Sequence, residues 1–374
     1  MAESKLKVAV IGGGVIGAAS AWRLAAAGCN VTVFDSANVP NDRGASAGES
    51  RIFRTAYKEG TEYHPLLKAS LNHWNALEES TGLKFLEMCG GLTIGREDHP
   101  DVAAVITSAQ QVGADIEVLD AKQTRQLYPQ HRVDDDEVAV RDAVAGVFRP
   151  ELTVRALRTA AETLGAVFRT YSPVLGLRPT ASQVHVEMAD GSEPFDRVVV
   201  APGPWAKAFA HYVGERVTPK ELVGVWFRVL DQEASGPQRM PIAIRRHESG
   251  GFSSFPMLDG FSVKILPHHL PWNEVDDVSD LSRFIDPSFV RSAERLATDL
   301  LPLVEPTAIR VSTWSDGFTA TGVPKVGISQ EDERIVFATG MSGQGFKMAP
   351  GVGDLVVSAV KDGSTEAIPE SFKK

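Results

Sequence analysis

Cysteine is nearly absent. Cys29 and Cys89 are the two in 374 residues, and they share no metal-ligand spacing, so neither a disulfide framework nor a thiolate metal site is expected. Excess positive charge is also lacking. Thirty-eight Lys and Arg stand against 48 Asp and Glu, a formal charge of −10, which disfavours binding to nucleic acid or anionic lipid. No long apolar run is present. The stretch 8–22 is broken by Gly12, Gly13, Gly14 and Gly17 and is shorter than the ~20 residues that span a bilayer. Ala26-Ala27-Gly28-Cys29 resembles a lipoprotein cleavage site, but Arg23 interrupts the segment before it. With no targeting signal recognised, a reducing cytoplasm is the expected location. The acidic run Asp134 to Glu137 reads as a solvated loop.

What is present suits a globular enzyme of two domains. Hydrophobic residues make up 43% and charged residues 23%, and 33 glycines and 22 prolines are scattered as turn formers. Apolar runs at 7–11 and 31–34 flank an alanine-rich helical stretch at 15–27, a strand-helix-strand unit. Helices are predicted over 65–79, 102–112, 151–164, 287–303 and 351–360. Strands are predicted over 91–94, 116–119, 167–170, 197–201, 221–230, 260–266 and 334–338, with a hairpin turn at Asp190-Gly191.

Gly12, Gly14 and Gly17 occupy Gly-x-Gly-x-x-Gly positions between the first strand and its helix. In that setting the glycines permit a tight turn, close approach of backbone to a pyrophosphate, and close packing of helix on strand, with Val15 and Ile16 opening the helix toward the phosphates. Asp35 ends the second strand, where a carboxylate accepts hydrogen bonds from a ribose hydroxyl and repels a 2′-phosphate. These residues alone do not separate NAD from FAD. Ala338-Thr339-Gly340, after a late strand, forms a second wall of the kind that covers an extended FAD, and no second dinucleotide site is evident. FAD is therefore favoured, with Val174, Ala201, Gly203, Trp205 and Gly340 among its expected contacts. The expected fold is α/β, mixed α+β overall: a Rossmann-type FAD domain (1–84, 148–218 and 317–374) with an inserted mixed-sheet substrate domain (85–147 and 219–316).

Three blocks carry a family resemblance: Ser46-Ala47-Gly48-Glu49-Ser50-Arg51-Ile52-Phe53-Arg54 with Ala56-Tyr57 and Glu59-Gly60 behind it, Gly260-Phe261-Ser262-Val263-Lys264, and Ser342-Gly343-Gln344-Gly345-Phe346-Lys347. In order and distance they resemble the monomeric sarcosine oxidase group of the D-amino acid oxidase superfamily, which includes N-methyltryptophan oxidase and the fructosyl-amino acid oxidases, or amadoriases. The resemblance covers nearly the whole chain. It implies that Ser46, Ser50 and Arg51 run beside the flavin, that Gly343 to Lys347 close over it, and that Arg54 and Lys347 bind the substrate carboxylate. It also implies that Lys264 promotes reaction of the reduced flavin with oxygen. Taken singly, Arg54 and Lys347 would more often be surface ion pairs, and composition alone would make Lys264 a solvent-facing edge-strand residue. Trp314, His268 and His269 read either as pocket residues or as ordinary packing and surface.

Two departures matter. Members with covalent flavin carry a cysteine near the place of Ser312, which predicts non-covalent FAD here. Ala47 stands where sarcosine and N-methyltryptophan oxidases usually have histidine, whereas amadoriases share the Ser-Ala-Gly start, which tilts the substrate toward a larger N-substituent. The implied reaction oxidises the C–N bond of an N-substituted amino acid to an imine that hydrolyses, with O2 reduced to H2O2 and no metal required. Alternatives are a dehydrogenase of the same fold or an oxidase of glycine, D-amino acid or pipecolate type, a nicotinamide-dependent dehydrogenase, and an inactive nucleotide-binding protein. The expected partners are a small amino acid and O2, in a monomer or small homo-oligomer.

Overall fold

A computed structural model describes residues 5–268, 275–281 and 284–373, so His269 lies outside the described residues. The first sheet has six strands in the order Lys325–Ile328, Ile335–Thr339, Arg197–Val200, Lys7–Ile11, Asn30–Phe34 and Val167–Arg169. All neighbours pair parallel except the first two. Parallel strands are buried on both faces, which is why Lys7–Ile11 and Ile335–Thr339 read as near-continuous apolar runs. On one face, helices Val15–Ala26, His64–Thr81, Pro150–Thr163 and Gly345–Asp362 share a core with Val8, Val10, Val31 and Val33. On the other, the antiparallel sheet Val174–Pro179, Val184–Met188 and Gly191–Phe195 packs Val184, Val186 and Phe195 against Ala9, Ile11 and Phe34. Its hairpin turns at Ala189-Asp190, one residue earlier than predicted, because Met188 pairs with Gly191.

The second sheet has eight strands, in the order Val304–Phe318, Thr218–Val229, Ser262–Pro267, Gly250–Phe255, Ile242–His247, Gly91–Arg96, Glu137–Asp142 and Ile116–Leu119. Two separate stretches of chain meet where Ile242–His247 pairs parallel with Gly91–Arg96. The α/β expectation therefore holds, with differences in detail. Ser262–Pro267 is an interior strand rather than an edge. The long strand Val304–Phe318 and the hairpin 242–255 have no counterpart in the predicted elements, and the last helix begins at Gly345, ahead of 351. Among the described residues no helix is long and apolar enough to cross a membrane, and no cluster of candidate metal ligands occurs.

One expectation needs correction. Asp135 and Asp136 are exposed and Asp134 is half-buried, as a solvated run would have it, but Glu137 is 4% exposed. Arg245, fully buried, donates from Nη1 and Nη2 to Glu137 Oε1 and Oε2, each at 2.6 Å. A buried charge is tolerated only with such a partner, and removing one member leaves the other uncompensated. Glu137→Gln is expected to lower unfolding stability by about 3–5 kcal/mol, measured by urea denaturation. A loss within about 1 kcal/mol, the range of exposed pairs, would show that the bridge is not a structural anchor.

Candidate active site

The chain leaves Lys7–Ile11 at Gly12, where φ is +99° and an added Cβ would lie 2.4 Å from the Ala201 carbonyl oxygen. At Gly17 an added Cβ would lie 1.8 Å from the Gly12 carbonyl oxygen. Each position therefore requires glycine: Gly12 brings two strand ends together, and Gly17 lets the helix Val15–Ala26 pack on the turn. Asp35 fixes this turn, accepting from the Gly13 amide at 2.7 Å and the Ala37 amide at 2.8 Å. Burial pushes the Asp35 carboxyl up, opposed by those amides and by Arg43. Ser46 Oγ accepts from the Val15 amide at 2.9 Å, tying the loop after Arg43 to the helix N-terminus.

These groups line one end of a cavity of about 910 Å³, near the upper limit of the ~300–1,000 Å³ usual for ligand sites. Gly12, Gly14, Val15, Ile16, Asp35, Ser46 and Val174 lie at this end. Ala201, Gly203, Trp205, Gly340, Gly343, Gly345 and Phe346 continue the wall from other carboxyl ends of the same sheet, the usual place for ligands in an open α/β sheet. Gly17, Ser50 and Gln344 do not line it. Arg43 and Lys207 line it without having been singled out in the sequence. A glycine cradle, a ribose-type acid and a cavity of this size fit an extended dinucleotide such as FAD.

The far end is the face of the eight-stranded sheet. Alternation along the strands brings Lys264, Leu266 and His268 to one face with Ser253 and Phe255, and Leu222 and Trp314 join from neighbouring strands. Lys264 is 2% exposed. Its Nζ donates to the carbonyls of Gly48 at 2.8 Å and Ser50 at 3.1 Å. It also stands 4.4 Å from the ring centroid of Phe255, 5.1 Å from Trp314 and 5.5 Å from Trp226. Burial, then the Arg51 guanidinium, holds Lys264 well below the ordinary lysine range, with Glu49 and Glu151 opposing. The carbonyls and aromatic faces favour its charged form.

Arg51 shapes the loop in front of this lysine. It donates to the Ala45 carbonyl from Nε at 3.1 Å and Nη2 at 2.8 Å, and to the Ser50 carbonyl from Nη1 at 2.7 Å. Burial lowers its pKa to about 10, opposed by Asp316 and Glu151, so it stays cationic at neutral pH. The loop passes Trp314 so closely that a Cβ on Gly48, at φ +94°, would lie 2.1 Å from the indole. Asp316 lines the cavity and is absent from the residues singled out in the sequence. It accepts from the Gly317 amide at 2.8 Å and the Gly343 amide at 2.9 Å. Burial raises its pKa.

Arg54 and Lys347 come together at Tyr57, but neither lines the cavity as it stands. The Arg54 guanidinium carbon and Lys347 Nζ each lie 4.9 Å from the centroid of the Tyr57 ring. Lys347 Nζ donates to Tyr57 Oη at 3.3 Å and to the Gln344 carbonyl at 3.1 Å, and Tyr57 Oη donates to Gln344 Oε1 at 3.0 Å. Arg54 reaches Glu59 Oε2 at 3.7 Å. Burial, then the charge of Arg54, brings Lys347 down to about 7, with Glu59 opposing. Burial likewise raises Tyr57 well above its usual value. Tyr57, Glu59 and Gln344 stand in the quoted blocks, but nothing local marks them as partners of the two cations.

A dinucleotide cradle opening onto a cationic, aromatic sheet face defines a nucleotide-dependent redox enzyme. The chain belongs to the FAD dependent oxidoreductase family DAO, whose model matches residues 7–359. It is 30% identical over 365 residues to monomeric sarcosine oxidase of Streptomyces avermitilis, covering 96% of this chain and 94% of that protein. It is 27% identical over 370 residues to N-methyl-L-tryptophan oxidase of Yersinia pestis, covering 94% of each. The fold is also that of NikD, an unusual amino acid oxidase essential for nikkomycin biosynthesis, with a TM-score of 0.87 at 22% identity over 99% of this chain and 98% of that one.

Proposed function

We propose that this protein oxidises the C–N bond of N-substituted amino acids, of sarcosine, N-methyl or fructosyl type, to an imine that hydrolyses, with O2 as electron acceptor and H2O2 as product. The observation that carries this reading is the meeting of Arg54 and Lys347, distant in sequence, at one Tyr57 ring beside the cavity wall. Two basic groups, Lys347 buried and Arg54 partly buried, with one acidic neighbour form a site that an anion completes, and charge-assisted hydrogen bonds to a carboxylate suit both. Carboxylate binding raises the affinity of Lys347 for its proton, so substrate uptake above about pH 7 draws a proton onto Nζ.

FAD bound in the glycine cradle supplies the acceptor for the hydride equivalent. Segments 1–84, 148–218 and 317–374 hold it, and 85–147 and 219–316 supply the substrate wall. Gripping the carboxylate fixes the carbon next to nitrogen within the site, and positioning of this kind carries much of the rate. Arg51 and Lys264 place positive charge at the sheet face, and Lys264 stabilises negative charge on O2 as it is reduced. That favours an oxidase over a dehydrogenase of the same fold. Leu222, Leu266, Trp314, Ser253 and His268 face the substituent. Ala47 is buried against Leu222, Trp226 and Trp314 and does not line the cavity, so the tilt toward larger N-substituents rests on the sequence match alone.

A peroxide assay of the FAD-loaded protein with sarcosine, N-methyl amino acids, pipecolate and fructosyl-valine tests the reading. Peroxide with at least one N-substituted amino acid is expected, and none with any of them would refute it. We also infer that FAD is held without a covalent bond. Cys29 is buried in the helical core, Cys89 does not line the cavity, and Ser312 borders a separate hollow. Acid precipitation should leave all FAD in the supernatant, whereas yellow colour retained in the pellet would contradict this.

A further inference from the structure

The polar corner of the sheet face is built in depth. On Ile242–His247 and Gly250–Phe255, Ile244 pairs with Ser253 and Arg246 with Gly251, so Arg246 and Ser253 share a face. His268, whose amide donates to the Gly251 carbonyl at 2.8 Å, stands beside both. Arg246 is held from behind. Its Nε donates to Asp101 Oδ2 at 2.7 Å, in the first turn of helix Pro100–Val112, and the other oxygen of Asp101 accepts from Lys58 Nζ at 2.9 Å. The guanidinium Nη1 is thereby turned onto His268 Nδ1. The opposite ring nitrogen, Nε2, lies 2.9 Å from Ser253 Oγ, and both His268 and Ser253 line the cavity.

The direction of these bonds follows from what each group can do. A guanidinium only donates, so His268 Nδ1 must accept and the imidazole proton sits on Nε2. That proton is given to Ser253 Oγ. Among the described residues the serine hydroxyl hydrogen then has no acceptor, since its hydrogen-bond partner there is His268. At 8% exposure and on the cavity wall, this hydroxyl is costly to cover unless the ligand that displaces water there supplies an acceptor. Ser253 is paired across the ladder with Leu266, two positions from Lys264 and therefore about 7 Å along the strand. Lys58, Arg246 and Asp101 leave the corner with one net positive charge, which also favours an electron-rich partner.

We propose that Ser253, oriented by His268 and behind it by Arg246 and Asp101, is a specificity-determining donor that selects substrates with an oxygen acceptor on the nitrogen substituent over those with plain alkyl there. Arg246 and Asp101 are positioning residues that set the imidazole tautomer. The substrate preference rests on the amine-oxidase reading, but the direction of the hydrogen bonds does not.

Two measurements test it. With FAD-loaded enzyme, the ratio of kcat/KM for N-(2-hydroxyethyl)glycine to that for N-propylglycine should exceed one, and Ser253→Ala should lower the ratio at least about tenfold, as for a site built around a substrate hydroxyl. Turnover of both with a ratio that Ser253→Ala leaves unchanged would overturn the proposal. Independently, 15N NMR of histidine-labelled protein, with His268→Asn for assignment, should show the His268 proton on Nε2 at pH 7.5, and Arg246→Met should release that preference. A wild-type proton on Nδ1 would overturn the proposal whatever the turnover. A protein that oxidises another N-substituted amino acid but neither glycine derivative would overturn the substrate preference, whereas one that oxidises none of them would fail the amine-oxidase reading; in either case the nitrogen spectrum decides whether Ser253 is a donor.

Discussion

Replacing Lys264 by methionine is expected to slow oxidation of the reduced holoenzyme by O2 about a hundredfold or more, the usual cost of removing a positioned electrostatic group. Reduction by substrate under anaerobic conditions should change by less than about fivefold, because the proposed carboxylate anchor is separate from this lysine. The reason is electrostatic. Lys264 is 2% exposed, gripped by two carbonyls and three aromatic faces, so its charge acts in a weakly screened place. Burial and Arg51 hold its pKa well below the ordinary range. The charged form is therefore lost as pH rises through that lowered value, and the oxygen reaction should weaken in the same direction. Stopped-flow measurement of each half-reaction separates the two effects. Equal slowing of both would remove Lys264 from its assigned role.

Arg54→Ala and Lys347→Met should each weaken use of a carboxylated amine by about 2–3 kcal/mol, roughly 30- to 150-fold in kcat/KM. The loss should fall mainly on KM, since the carboxylate is bound before and throughout the reaction. The pH dependence has a definite sign. In the unliganded protein Lys347 is lowered to about 7, so the competent cation is present below that value and is lost above it. Because kcat/KM reports the free enzyme, Lys347 contributes a falling limb above about pH 7, opposite to the rising limb from deprotonation of the substrate amine. Lys347→Met should abolish the falling limb. An unchanged KM in either variant would remove that residue from the anchor.

The parts legible in the sequence are those whose cause is local. Gly12 and Gly17 are required by contacts within one strand-helix turn and its neighbour strand, and Asp35 sits where that turn needs an acceptor, so the βαβ unit could be placed from residue order. Alternation around Lys264 correctly put it opposite Val263 and Ile265. The hairpin 242–255 escaped because the polar run Arg245, Arg246, His247, Glu248 and Ser249 carries no strand signal, and the partners of the two arginines are Glu137 and Asp101, both more than a hundred positions away. Glu137 looked solvated for the same reason. Val304–Phe318 escaped because only part of its length is buried. Asp316 raised no signal because, beyond its neighbour Gly317, the amide it accepts from belongs to Gly343, a distant loop residue. Arg54 and Lys347 were named through family resemblance. Their shared Tyr57 ring is a tertiary feature that spacing could not disclose.

The most direct measurement compares peroxide release by the FAD-loaded protein from an N-substituted amino acid and from the matching amine without its carboxyl group. Peroxide should come from the acid, with kcat/KM at least about a hundredfold above that of the amine, as expected for two charge-assisted contacts, and the preference should collapse in the Arg54→Ala, Lys347→Met double variant. Equal turnover of acid and amine by the unaltered protein would contradict carboxylate capture by these two cations.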